Sequence, residues 1–162
     1  MLCCLMASGC GYRLTGGVSG ALSRTLSVGH LVNRTYRADL EADLERALRE
    51  ELARRSPSGV TAGGELELAG TVQSLLVEPA SYTASDQIRE YRTTITAEMQ
   101  LREPATGKVL WKGIDTGVQY FPANADLAVQ RNSEQQAVSG ACRDLAEHLY
   151  QQLNDVVDGK GI

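Results

Sequence analysis

The sequence predicts an α+β protein, a two-layer sandwich in which two helices pack on one face of a four-stranded, mainly antiparallel sheet. Three observations support this prediction. Two segments repeat apolar residues at helical spacing, four segments have the apolar pattern of strands, and the last three strands follow each other through loops. The element order is therefore β-α-β-β-β-α. Placing both helices on one sheet face buries every apolar stripe and leaves the other face for solvent, a partner or a ligand.

Each predicted helix carries one apolar stripe. The first helix covers about residues 36–55 and ends at the turn formers of residues 56–59. Its stripe consists of Leu40, Leu44, Ala47, Leu48 and Leu52. The second helix covers about residues 126–157, with Asn124 or Asp126 as its N-terminal cap. Its stripe consists of Val138, Ala141, Cys142, Leu145, Leu149 and Leu153.

The four predicted strands surround these helices in sequence. A short apolar run at residues 26–32 ends in a turn at residues 33–35, and residues 65–77 alternate between apolar and polar. Residues 78–87 contain Pro79 and Asp86 and are predicted to form a loop. The third strand, residues 91–102, turns its odd-numbered residues inward. Residues 104–107 then form a tight turn, and residues 109–120 form the fourth strand.

Length and charge limit the possible functions. A chain of 162 residues fits one domain with a real core, and a net charge of -4 argues against a general nucleic-acid binder. No run approaches the roughly 20 apolar residues of a membrane-spanning helix. We divide the chain into a residual signal segment at residues 1–9, an acylated lead-in at 10–25, one α+β domain at 26–157 and a tail at 158–162.

Cys10 ends the segment LMASGC, which is typical of a bacterial lipoprotein signal. We expect cleavage before Cys10, a thioether-linked diacylglycerol on its thiol and an N-acyl chain on the new terminus. The preceding residues lack a basic start, and Ala7 stands where leucine is usual, so we expect the natural start codon to lie upstream. The alternative is an ordinary apolar N-terminus containing Cys3, Cys4 and Cys10. Cleavage would leave Cys142 as a lone, buried and inert thiol.

Several segments in a fixed order resemble LptE, the lipopolysaccharide-assembly lipoprotein family of the bacterial outer membrane. Its mature chains open with Cys-Gly-Tyr-x-Leu, matched by CGYRL at residues 10–14. A strand, an Asn-x-Thr turn and a Leu- and Glu-rich helix follow, matched by VNRTY at 32–36 and by residues 40–52. The later strands match through GTV at 70–72 and GKVLW at 107–111. The resemblance covers residues 10–155.

The resemblance implies an assembly role without a cofactor. Members of LptE sit inside a large outer-membrane β-barrel, of the LptD type, that inserts lipopolysaccharide into the outer leaflet. They plug the barrel, help to assemble it and can bind lipopolysaccharide. We therefore expect a periplasm-facing, lipid-anchored protein of the outer membrane whose partners are the barrel, lipopolysaccharide and the membrane, with no nucleic acid. A small domain with polar strand faces suits the polar lumen of a barrel.

Lipopolysaccharide carries phosphates and carboxylates, which arginine binds through two parallel hydrogen bonds. The candidate cations lie at the start of the third strand and around the turn that follows it: Arg89, Arg92, Arg102, Lys108 and Lys112. The alternative interpretation is that these residues are solvated strand charges that discourage edge-to-edge pairing.

Catalysis is not expected, because the sequence has no nucleophile elbow, P-loop, dinucleotide fingerprint or metal-ligand spacing. His30 and His148 lie in no motif, and the carboxylates of Glu65, Glu67 and Glu98 lie on outward strand positions, where they are ordinary. Two other lipoprotein classes with a similar strand-helix-strand start remain open: periplasmic activators of cell-wall synthases, and small lipoproteins that assemble secretion pores. A purely structural lipoprotein is a third alternative.

Overall fold

The computed structural model describes residues 24–55 and 62–160. Six elements follow each other along these residues: β1 (Leu26–Asn33), α1 (Leu40–Arg55), β2 (Leu66–Tyr82), β3 (Ile88–Glu103), β4 (Lys108–Pro122) and α2 (Leu127–Lys160). The order β-α-β-β-β-α and the α+β class are therefore confirmed. The predicted signal segment at 1–9 and Cys10 lie outside the described residues, as does most of the lead-in at 10–25.

The sheet is mixed and has the order β1-β2-β3-β4. β1 pairs with β2 in parallel, whereas the β2–β3 and β3–β4 pairs are antiparallel. The parallel pair is possible because α1 forms the crossover between β1 and β2, returning the chain to the starting end of the sheet. The two long hairpins then follow as a meander, so β1 and β4 are the edge strands.

The core lies between the helices and one face of the sheet. The two predicted stripes are confirmed, because all eleven of their residues are buried in a single apolar cluster. The sheet contributes alternating residues, among them Leu68, Ile95, Met99 and Leu101. Odd-numbered residues of β3 face inward as predicted, since Thr93, Ile95, Ala97, Met99 and Leu101 are buried.

The predicted loop at residues 78–87 is mostly wrong. β2 continues to Tyr82 and β3 begins at Ile88, so only five residues connect the strands. The strand accommodates Pro79 because the register shifts between Pro79 and Ser81, where a bulge tolerates a residue without an N–H donor. The short connection closes on hydrogen bonds, in which the Thr83 N–H donates to the Gln87 carbonyl at 2.8 Å.

The first helix begins four residues later than predicted, at Leu40. Asp39, immediately before it, has a left-handed backbone with φ of 62°, which is incompatible with a continuous helix through this position. The predicted turn at residues 33–35 does form, and Asn33 fixes it. Its Oδ1 accepts from the Thr35 N–H at 2.8 Å, while its Nδ2 donates to the Arg37 carbonyl at 2.7 Å.

Candidate functional site

The surface available for binding is the open face, which we define as the sheet face turned away from the helices. Because side chains alternate along a strand, the register places on it the residues between the buried ones. On the three long strands these residues are Glu67, Ala69, Thr71, Ser74, Leu76 and Glu78 of β2, Arg92, Thr94, Thr96, Glu98, Gln100 and Arg102 of β3, and Val109, Lys112, Ile114, Thr116, Val118 and Tyr120 of β4.

Three of the five predicted cations lie on the open face, and each is paired with a carboxylate of the neighbouring strand. Arg102 reaches Glu67 with its Nη2 2.6 Å from Oε2, and Lys112 Nζ lies 2.6 Å from Glu98 Oε1. Arg92 donates to Glu78, its register partner on β2, and this hydrogen bond raises the pKa of Arg92. The positive charges of these three residues are therefore balanced by carboxylates on the same face.

The other two predicted cations are unpaired but lie apart from each other. Arg89 is at the start of β3 and, by strand alternation, points to the opposite side from Arg92. Lys108 opens β4 opposite Glu103, at the other end of the sheet. Neither residue makes a salt bridge to any part of the chain that the structure describes. At about 3.3 Å per residue, the two ends of β3 are about 50 Å apart, so the five cations do not form one site.

Glu103, opposite Lys108, already has other partners. Thr106 Oγ1 donates to it at 2.6 Å, and Arg24 Nη2 donates at 2.6 Å. These hydrogen bonds, that of Thr106 first, lower the pKa of Glu103, and the charge of Lys108 adds a smaller contribution. Lys108 thus shares the Glu103 carboxylate with Arg24, and its ammonium group remains accessible to another anion.

The sequence analysis missed an apolar patch on the open face, which we define by Leu76, Ile114, Val118 and Tyr120. Ile114 is 60 % exposed, Leu76 is 55 % exposed and Tyr120 is 49 % exposed, whereas Val118 is half-buried. Val118 and Leu76 lie in one row across the sheet, on either side of Thr94. The sequence already contained a sign of this patch, because the alternate residues 114, 116, 118 and 120 of the strand are all uncharged.

A carboxylate of a helix caps each edge of the sheet. At the β4 edge, Asp144 of α2 accepts from the Val118 N–H at 2.8 Å, and His148 Nδ1 lies 3.2 Å from the Thr116 carbonyl oxygen. At the β1 edge, Glu45 of α1 accepts from the Leu31 N–H at 3.2 Å. At these points the edge groups are not free to pair with another strand.

The described residues contain no group of side chains typical of a metal centre. Among residues 24–55 and 62–160, no three His, Cys, Asp or Glu side chains are grouped as a metal site would require. Cys142 is buried in the core, and desolvation raises its pKa to about 12, which keeps the thiol protonated and unreactive. An open cleft of about 560 Å³ between β4 and α2 is lined largely by polar side chains, including Gln119, Gln136 and Arg143.

The comparison with protein families identifies the chain. The family model LptE, described as lipopolysaccharide-assembly, matches residues 23–153. The chain belongs to the LptE family. The resemblance noted in the sequence is thus confirmed, and the general role of this non-enzymatic family is lipopolysaccharide assembly. No curated protein sequence matches this LptE-family chain. None of the helices in the described ranges has the length and apolar character needed to cross a membrane.

Solved structures share the fold at low sequence identity. The rare lipoprotein B from Shewanella oneidensis has a TM-score of 0.53 and 15 % identity, with 78 % of this chain and 92 % of that chain covered. An uncharacterised lipoprotein B from Nitrosomonas europaea has a TM-score of 0.55 and 14 % identity, with 93 % and 97 % covered. The PelC dodecamer from Paraburkholderia phytofirmans has a TM-score of 0.52 and 16 % identity, with 80 % and 88 % covered.

Proposed function

We propose that this LptE-family protein is a lipid-anchored component of the outer membrane that plugs a lipopolysaccharide-inserting β-barrel of the LptD type and helps to assemble it. The family match over residues 23–153 is the observation that carries this proposal. The paired charges of the open face support it, because a plug must place its surface against a polar wall without leaving unpaired charges between the two proteins. The role requires neither catalysis nor a cofactor.

Lipopolysaccharide binding is proposed at the cations that remain available. Arg89 and Lys108 can offer their full charge to a phosphate, since neither makes a salt bridge within the described ranges. Arg92, Arg102 and Lys112 would first have to give up Glu78, Glu67 and Glu98, respectively. We therefore assign these three a secondary role in binding, and place the two primary contacts at opposite ends of the sheet.

The lipid anchor is proposed at Cys10, on the basis of the segment LMASGC. The Cys10→Ser variant is expected to lose labelled palmitate and to appear in the soluble periplasmic fraction when it is produced with a full secretory signal. The Cys142→Ser variant is the matched control, because its thiol is buried and unreactive. Palmitate on the Cys10→Ser variant would refute the assignment.

The deciding experiment is a pull-down of the tagged chain from its own membranes in mild detergent, followed by mass spectrometry. We expect one large β-barrel protein to be recovered in an amount close to that of the chain. Recovery of a cell-wall synthase instead, or of the chain alone, would refute the barrel role.

A second candidate function is the assembly of a secretion pore by a ring of identical chains. The fold likeness to the PelC dodecamer favours it, although the identity of 16 % means that the likeness concerns the fold alone. Light scattering of the purified chain separates the two functions. A monomer that joins a barrel in equal amount supports the plug, whereas a stable ring of many copies supports the pore.

A further inference from the structure

We propose that the apolar patch of Leu76, Ile114, Val118 and Tyr120 is the surface through which this chain docks on its protein partner, and that the partner presents uncharged side chains to it. This inference rests on the proposed function, in which that partner is the barrel. It adds the face of the domain that makes the contact and the chemistry of the opposing surface.

Leu76, Ile114 and Tyr120 are exposed apolar side chains that the register places on the open face. Ile114, Val118 and Tyr120 are an even number of residues apart on β4, so their side chains lie on the same side of the strand, with Thr116 between the first two. Leu76 extends the patch across the sheet, because it shares a row with Thr94 and Val118. Apolar groups clustered within a polar surround are typical of protein interfaces, whereas isolated exposed apolar residues need no such explanation.

The charges around the patch favour an uncharged partner. Glu98–Lys112 borders it at one end and Glu78–Arg92 at the other, and each pair is closed within the face. Between these pairs, Thr94, Thr96 and Thr116 present hydroxyl groups without charge. A charged ligand such as the phosphates of lipopolysaccharide would find no net field here, whereas an uncharged surface could dock without breaking an ion pair.

Side chains of the helices oppose the addition of a strand at one point on each sheet edge. Addition of a strand requires free N–H and C=O groups along an edge. Asp144 accepts the hydrogen bond of the Val118 N–H on β4, and Glu45 accepts that of the Leu31 N–H on β1. The opposite sheet face is covered by α1 and α2. Docking on the open face leaves these hydrogen bonds intact.

The test compares three variants that each add one positive charge. Ile114→Lys places the charge in the patch, and its position opposite Glu98 in the register provides a carboxylate partner that supports folding. Ala53→Lys is the matched control, on an exposed position of α1. Leu76→Lys, opposite Thr94, is a second patch variant. Thermal unfolding of all three confirms that they are folded before the tagged, lipidated chains are used in the membrane pull-down.

We expect the barrel to be recovered with the original chain and with Ala53→Lys, and its recovery to fall by more than about tenfold with Ile114→Lys and Leu76→Lys, because the new charge must lose its water at the interface. Unchanged recovery with folded patch variants would overturn the docking surface while the plug function stood. If the original chain recovers no barrel, the proposed function fails and this inference fails with it. A homodimer that only the patch variants lose would identify a second copy as the occupant and would also overturn the proposal.

Discussion

Asp144 Oδ2 lies 2.8 Å from the backbone nitrogen of Val118, so that a helix carboxylate accepts the hydrogen bond of an edge strand. His148, one turn further along α2, approaches both Asp144 and the carbonyl of Thr116. This contact ties α2 to β4 from the side, in addition to the apolar packing beneath. It also holds the free edge of β4, the strand that carries Ile114, Val118 and Tyr120 of the apolar patch.

Removing that carboxylate should destabilise the domain. We expect Asp144→Ala to lower the free energy of unfolding by about 1–3 kcal/mol, because the Val118 N–H loses its acceptor in a half-buried position. Asp144→Asn should lose less, since its amide oxygen can still accept. Glu147→Ala, one turn of helix away and half exposed, is the control and should change little. Urea unfolding provides the measurement, and equal stabilities for all three variants would contradict the edge contact.

Gly117 marks the closest approach of β4 to α2. A Cβ atom built at this position would lie 1.9 Å from the Ala141 carbonyl oxygen and 2.8 Å from Leu145 Cβ. Since the first of these atoms belongs to the backbone, Gly117→Ala must push the helix away, and we expect a loss of about 1–3 kcal/mol or more.

Gly140 provides the matched comparison for this prediction. Its added Cβ would meet the side chain of Gln119 at 3.0 Å, and that side chain can move. Gly140→Ala also gains about 1 kcal/mol of helix propensity, so we expect it to be neutral or stabilising. Melting temperatures of the two variants should therefore move apart. A similar fall in both melting temperatures would mean that neither position has room for a methyl group, whether the neighbouring atom belongs to the backbone or to a side chain.

The apolar periodicity of the sequence was sufficient to predict both helices, because stripes such as that of Leu44 and Leu48 can only be buried on one side. The loop at 78–87 was predicted wrongly because its composition is that of a turn, whereas the long hairpin is held by pairing with β3. The ion pairs could not be predicted from composition, since they depend on register. The bulge between Val72 and Ser74, for example, sets the register that places Glu78 opposite Arg92.

The stability of the domain should show a component that depends on the Cys142 thiol at high pH. Burial raises the pKa of Cys142 from 9.0 to about 12. Below pH 9 the thiol is protonated in both states, and its contribution is fully present. Between pH 9 and 12 the unfolded chain loses this proton while the folded chain keeps it, so the free energy of unfolding falls as pH rises, by up to about 1.4 kcal/mol per unit.

The Cys142→Ala variant isolates this component. Its smaller side chain costs some packing at every pH, but that cost does not vary with pH. We therefore expect the difference in free energy of unfolding between the original chain and the variant to be constant from pH 7 to about 9 and to shrink at higher pH. Urea unfolding at each pH measures it. A difference that stays constant to pH 10.5 would show that the thiol titrates normally in the folded protein.

Arg89 and Arg92 should differ in their importance for lipopolysaccharide binding, although they lie three residues apart. Arg92 is held by Glu78, so a phosphate must compete with an existing carboxylate. Arg89 has no salt bridge within the described residues, and its guanidinium group can engage a phosphate directly. We expect Arg89→Gln to weaken binding by about tenfold, the effect of losing one hydrogen bond between charged groups. Arg92→Gln should weaken it much less.

Displacement of a fluorescent lipopolysaccharide probe from the purified soluble domain measures both variants at equal ionic strength. Glu78→Gln completes the design, because it releases Arg92 from its carboxylate partner. If pairing is what limits Arg92, this variant should bind the probe more tightly than the original chain, and the gain should vanish in the Glu78→Gln, Arg92→Gln double variant. Equal losses for Arg89→Gln and Arg92→Gln, with no gain for Glu78→Gln, would show that the ion pair has no influence on binding and that both arginines contribute through their general positive field.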